Sequence, residues 1–171
     1  MSYTTLLATN KRGNLECIAE YSNSHGFAAC IWDYLFDKYI EKKNDYDSWL
    51  FDAKRLWDLQ KDHRLEEFER ISLLVTFDNV MIRCKYKDVV VDALSEMYEA
   101  VKRTKPENVN NLRTICEDIK KLKGQRCFCF IATSVNGDAW TSDRCYKNGE
   151  SRNYNIFKDK KHWFLFEQED K

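Results

Sequence analysis

Cys127 and Cys129 form a C-x-C pair inside the apolar run Cys127-Phe128-Cys129-Phe130-Ile131-Ala132. In a strand, alternation puts both thiols on one face. With Cys145 and His162 they would make a thiolate and imidazole set of the kind that suits zinc. Structural zinc sites usually draw on two closely spaced ligand pairs, and this chain has one. A packed strand explains the C-x-C spacing with fewer requirements. Nucleophilic chemistry would fall to His25 and Cys30, where a loop histidine at a helix start precedes a cysteine by five residues. Cys30 also belongs to the buried stripe expected for that helix. Asp33, Asp37 and Glu41 recur every four residues, a spacing that serves paired carboxylates or a solvated helix face. The dinucleotide, P-loop, HExxH and GxSxG signatures are absent from the sequence. An enzyme acting on a nucleotide or phosphate would therefore use scattered residues, with His25, Cys30 or His162 in the catalytic set.

Two binding patterns stand beside these. Lys120, Lys121, Lys123 and Arg126 form a basic cluster that leads into Arg144, Lys147, Arg152, Lys158, Lys160 and Lys161. Trp140, Tyr146, Tyr154 and Trp163 are interleaved with them. Aromatics on an open sheet stack bases while cations hold phosphates, so this region predicts single-stranded nucleic-acid binding. Asp143, Glu150 and Asp159 interrupt the field, and cross-strand aromatic pairs also stabilise ordinary sheets. The second pattern is Trp49 and Trp57, two turns apart on one stripe, with Lys54, Arg55 and Asp58 as a polar rim. Such aromatics serve as protein-binding hot spots or as a wide core-facing stripe.

These residues need elements to position them. Tyr3–Thr9 and the strand after it read as a hairpin turning at Asn10-Lys11-Arg12-Gly13, with Leu15, Cys17 and Ala19 sharing one face. Ser24 can cap a helix whose stripe is Phe27, Ile31, Tyr34 and Leu35. Asp45 or Asp47 can cap a second helix carrying Trp49, Leu50, Ala53, Leu56 and Trp57. Residues 63–70 are ambiguous. Ser72 to Phe77 and Val80 to Cys84 read as strands joined at Asp78-Asn79. Helices follow at about Asp88 to Arg103 and Asn108 to Leu122, separated by Pro106. Beyond the apolar run, Asn136-Gly137 and Asn148-Gly149 mark hairpins, a weaker turn falls at Lys158 to Lys161, and a final strand spans His162 to Phe166. The order predicts one α+β domain over residues 1–171. Its antiparallel sheet packs against four or five helices and ends in a C-terminal β-meander.

Composition bounds the function. The 171 residues carry 28 basic and 28 acidic side chains, a net charge of zero, with 43% hydrophobic and 14% aromatic residues. A general polyanion binder would show a positive excess, and a disordered chain fewer aromatics. The apolar runs fall far short of the ~18 residues of a membrane span. The start Met1-Ser2-Tyr3 has no signal-peptide core, which predicts a cytoplasmic protein whose seven cysteines stay reduced. The expected function is a small protein-binding regulator, inhibitor or adaptor without a cofactor, and homodimerisation is compatible with it. Single-stranded nucleic-acid binding and a nucleotide or phosphate enzyme are the alternatives. Scarce Gly and Pro beside abundant Asn, Lys and Phe are compatible with the coding bias of a phage.

Overall fold

Asn10 closes the first hairpin. Its side-chain oxygen accepts the amides of Arg12 and Asn14, at 2.9 and 3.1 Å, and Gly13 takes a positive φ of 80°. Strands β1 (Tyr3–Thr9) and β2 (Leu15–Ser22) flank this turn. The computed structural model describes residues 3–22, 26–44, 46–77, 79–105, 110–132 and 153–166. The Asn136-Gly137 and Asn148-Gly149 hairpins, Ser24 and Pro106 lie outside these residues.

The architecture is α+β. Helices α1 (Phe27–Tyr39), α2 (Ala53–Asp58) and α3 (Glu67–Leu74) follow the hairpin. Strand β3 (Val80–Arg83), helices α4 (Lys87–Thr104) and α5 (Asn110–Lys121), and strands β4 (Cys127–Ile131) and β5 (Trp163–Phe164) complete it. The strand order is β2-β1-β4-β3-β5. The apolar run is the central strand, as expected, with antiparallel neighbours on both sides. Its parity sorts the core. Phe128 and Phe130 face the main cluster with the helices, whereas Cys127 and Cys129 face a smaller cluster with Leu7, Leu15, Met81, Tyr154 and Ile156. Residues 153–166 supply that second cover. Asn155 latches them to the first hairpin: its amide nitrogen donates to Arg12 O and Asn14 Oδ1, at 3.0 and 2.7 Å.

Four expectations are corrected. Ser72 to Phe77 is not a strand, because α3 runs to Leu74. The helix starts with a capping box in which the Glu66 and Glu69 side chains bind each other's backbone amides. It ends where the Thr76 hydroxyl donates to Leu73 O at 2.6 Å and accepts the Trp32 indole N–H at 2.8 Å. The left-handed Asn79, φ 63°, therefore joins a helix to β3 rather than two strands. The second helix begins only at Ala53, since Asp47 is held by the Arg55 guanidinium and the Lys43 amide and caps nothing. Leu15, Cys17 and Ala19 do not share a face. A bulge at Ile18 inserts one residue between the Ala19–Leu6 and Cys17–Leu7 pairs, so Leu15 joins the smaller cluster while Ala19 and Tyr21 turn toward the helices. Finally, β5 runs parallel to β3, so the sheet is mixed rather than wholly antiparallel.

One buried carboxylate ties α1 to α3. Glu69 accepts Lys38 Nζ at 2.7 Å, Tyr39 OH at 2.5 Å and its own capping-box amide, Glu66 N, at 3.0 Å. Burial alone would raise this carboxyl, but those three donors outweigh it and hold it below the usual 4.5.

Two tests follow from these contacts. The stabilisation at Glu69 is complete above the usual 4.5 and is lost as the pH falls through the lower folded-state value. Glu69→Gln is therefore expected to flatten the acid limb of an unfolding-versus-pH curve and to cost about 1–3 kcal/mol at pH 7. An unchanged acid limb would contradict it. A Cβ at Gly13 would stand 2.5 Å from Phe157 Cε2, whereas at Gly124, also at positive φ, it would meet nothing within 4 Å. Urea denaturation is expected to show a loss of about 2–4 kcal/mol for Gly13→Ala and about 1–2 for Gly124→Ala. Equal losses would count against the packing of Phe157 on the turn.

Candidate functional site

The register pair Arg83–Cys127 sets the end of β3 beside the start of β4. Arg126, one residue before that strand, and Lys85, just past β3, come to the same corner. From the other side, residues 156–164 bring Ile156, Phe157, His162 and Phe164. Together they line a cleft of about 510 Å³ at the edge of the smaller core. Three cations enter it, and no carboxylate is among the described residues that line it. The Arg83 guanidinium lies 3.9 Å from the Phe164 ring centre, and that of Arg126 lies 5.5 Å from Phe157. These are cation–π distances, so both guanidinium groups lie against aromatic walls.

His162 is oriented from behind. The Tyr154 hydroxyl accepts the backbone amides of Lys161 and His162, at 2.9 and 3.2 Å. Burial pushes the Tyr154 phenol up, so it keeps its proton. The same hydroxyl lies 2.9 Å from His162 Nδ1, a contact in which it is the donor when the ring carries its proton on Nε2. The ring packs edge-on against Phe164, with centroids 5.0 Å apart.

The sequence candidates distribute unevenly around this cleft. Arg126, Cys127 and His162 meet in it. Tyr154 is buried and serves as the hydroxyl hub, not as a stacking platform. Trp163 is partly exposed on β5. Lys121 pairs with Asp118 at 2.7 Å, and Lys120 lines a separate groove between α4 and α5. Lys123 is exposed before β4. The basic cluster is therefore split, with only Arg126 at the cleft. Trp140, Arg144, Cys145, Tyr146, Arg152 and His25 lie outside the described residues. Arg83 and Lys85 were missed in sequence because their relevance depends on β3 lying next to β4.

Cys127 and Cys129 do share a face, but they are buried with apolar neighbours. Among the described residues no three His, Cys, Asp or Glu side chains gather where a metal could sit. Burial pushes the Cys127 thiol up against the pull of Arg83 and Arg126. Cys30 is buried, donates to Phe27 O at 3.2 Å, and is pushed up to about 12 by burial. A thiol so protonated is a poor nucleophile. The α1 carboxylates are structural: Asp33 accepts the Trp49 indole N–H at 2.7 Å, and Asp37 holds Lys42 and Lys105 at 2.7 and 3.0 Å.

The tryptophan stripe is also largely internal. Trp32 meets Trp49 and Trp57 edge-on, with centroids 4.9 and 5.2 Å apart, and Trp57 meets Phe77 at 4.9 Å. Arg55 is a clamp rather than a rim residue, because it binds Asp47 at 2.7 Å and Glu41 O at 2.6 Å and lies over Phe36. Lys54 pairs with Asp58 on the exposed side. What the clamped loop presents instead is Tyr46, Leu50 and Phe51, which are 85%, 70% and 80% exposed. A larger cleft of about 730 Å³ involves Lys38 and Arg103 together with Glu66, Glu96 and Glu99, so it favours neither sign of charge. No helix among the described residues is long and apolar enough to cross a membrane.

Long-range proton–nitrogen correlation spectra are expected to show His162 protonated on Nε2 and bare on Nδ1 at neutral pH, with His162→Gln providing the assignment. Tyr154→Phe is expected to abolish that preference. A wild-type Nδ1–H tautomer would overturn the hydrogen-bond assignment.

Comparison with protein-family models, with curated proteins and with solved structures finds no match for this chain, so the geometry itself carries the functional argument.

Proposed function

We propose that this chain is a protein-binding regulator whose contact surface is the connection between α1 and α2. The observation that carries the proposal is the exposure of Tyr46, Leu50 and Phe51 on a loop that is otherwise fastened down. Large apolar side chains facing water in a cluster mark interaction surfaces more often than solitary ones do. Here the loop is fixed by Asp47–Arg55, Asp33–Trp49 and the Glu41 carbonyl. Much of the ordering entropy of binding is thus spent before a partner arrives. Trp49 and Trp57 support the loop from the core, and Lys54 with Asp58 supplies a polar margin. The partner is a protein offering an apolar cavity. The six described cysteines are free thiols, which suits a reducing cytoplasmic setting.

A photo-crosslinking residue placed at Phe51 is expected to join one defined partner in host cells, while the same probe at exposed Glu117 does not. Leu50→Ser and Tyr46→Ser are each expected to weaken binding to that partner by about thirtyfold, the scale of a 2 kcal/mol hot spot, with little change in thermal midpoint. Equal adducts at positions 51 and 117, or binding untouched by both variants, would refute this surface. Adducts only between copies of the chain would replace the regulator with a homodimer.

A further inference from the structure

We infer that the connection between α1 and α2 is held to α1 by two separate anchors, and that Arg55 and Asp33 are the positioning residues of its contact surface. Arg55 sets Tyr46, and Asp33 sets Leu50 and Phe51. This division rests on the reading of the connection as a binding surface and adds what governs it. It also gives a role to the series Asp33, Asp37 and Glu41, whose four-residue spacing suits paired carboxylates or a solvated face equally.

The first anchor is one guanidinium. Arg55 Nη1 donates to Asp47 Oδ2 at 2.7 Å and Nη2 to the Glu41 carbonyl at 2.6 Å, while the group lies 5.4 Å from the Phe36 ring centre. It thereby ties α2 to the chain just past α1 and to the middle of the connection. Asp47 Oδ2 also accepts the Lys43 amide at 2.9 Å, and the Asp47 amide donates to Asn44 O at 3.1 Å. Tyr46, 85% exposed, precedes Asp47, and its amide donates to Asn44 Oδ1 at 2.9 Å. Its position is set by a turn that Arg55 closes. A lysine at position 55 would keep the charge but lack the planar fork that serves two acceptors in fixed directions.

The second anchor is an indole. Trp49 Nε1 donates to Asp33 Oδ1 at 2.7 Å, and its ring meets Trp32 edge-on at 4.9 Å. Leu50 and Phe51 follow directly. The Phe51 amide donates to Ser48 O at 3.1 Å, so the exposed pair turns about the anchored tryptophan. Trp32 and Phe36, one helical turn apart on α1, bed the two anchors separately. The acidic series follows the same rise. Asp33 holds Trp49, Asp37 holds Lys42 at 2.7 Å, and Glu41 offers its carbonyl rather than its carboxylate to Arg55. A side chain held in place before association loses less freedom on binding, so each anchor raises affinity through the residues it places.

Amide hydrogen exchange on the full chain, read residue by residue by nuclear magnetic resonance, tests this division without a partner. Arg55→Lys is expected to speed exchange at Tyr46 and Asp47 by about tenfold or more, and at Phe51 by less than about twofold. Asp33→Ala is expected to do the reverse. Asp33→Asn, whose amide oxygen still accepts the indole N–H, is expected to restore wild-type exchange at Phe51. The amides of α4 are expected to be unchanged in all three variants. Acceleration of both sets together in either variant, of neither set, or of α4 to the same extent overturns the two anchors. The photo-crosslinker at Phe51 then reads binding. Asp33→Ala is expected to cut the adduct yield in host cells about threefold or more, and Asp33→Asn to restore it. An undiminished yield in Asp33→Ala overturns the role in binding. Absence of a defined adduct in the otherwise unaltered chain sinks the surface and with it that role, whereas the exchange pattern reports on the anchors alone.

Discussion

A central strand with apolar side chains on both faces has to be covered twice. β4 sets this requirement. Phe128 and Phe130 are satisfied by the helical layer, where Phe27 packs 4.7 Å from the Phe130 ring. Cys127 and Cys129 point the other way, and a one-layer helical cover would leave them in water. Residues 154–156 meet that need by pairing with the β1–β2 turn, through Leu15 N to Tyr154 O at 2.8 Å and Ile156 N to Gly13 O at 3.0 Å. The second cover is small and ends at the Arg83–Cys127 pair. The cationic cleft is the margin of that cover, so its existence follows from the same doubly apolar strand that organises the core.

The bulge at Ile18 belongs to the same logic. β1 lies between β2 and β4 and has Leu6 and Ala8 on the helical side and Leu7 on the other. Had β2 kept strict alternation, Leu15 and Tyr21 would share one face, and one of the two clusters would lose its edge residue. The extra residue lets Tyr21 close the helical side and bind Asp118 of α5 at 2.9 Å, while Leu15 closes the other side.

Legibility in the sequence followed the range of the interactions. α4, α5, the first hairpin and the central strand were readable because their signals are local: a repeated stripe, an Asn-to-Gly turn, an unbroken apolar run. α3 was misread because Ser72 to Phe77 is rich in residues that favour strands, while the decisive features are a Glu66–Glu69 capping box and a Trp32–Thr76 hydrogen bond spanning 44 positions. Residues 46–52 read as helix in sequence because Trp49 and Trp57 fit a helical stripe. They do converge on Trp32, but from separate elements. Of the cleft, the sequence disclosed Arg126, Cys127 and His162 as members of two unrelated hypotheses. Their meeting, and the addition of Arg83 and Lys85, depended on strand order.

A net charge of zero conceals this segregation. On the helical side, cations are consumed in holding elements together: Lys38 at Glu69, Lys105 at Asp37, Arg55 at Asp47. The last of these fastens the α1–α2 loop, whose Tyr46, Leu50 and Phe51 face outward. At the cleft, the arginines face aromatic rings, and no carboxylate is among the described lining residues. A carboxylate partner neutralises a cation, whereas an aromatic partner lies against the guanidinium without adding an opposing charge. The same residue type therefore meets carboxylates on one side of the sheet and aromatic rings on the other, and the distinction lies in what the fold brings to it.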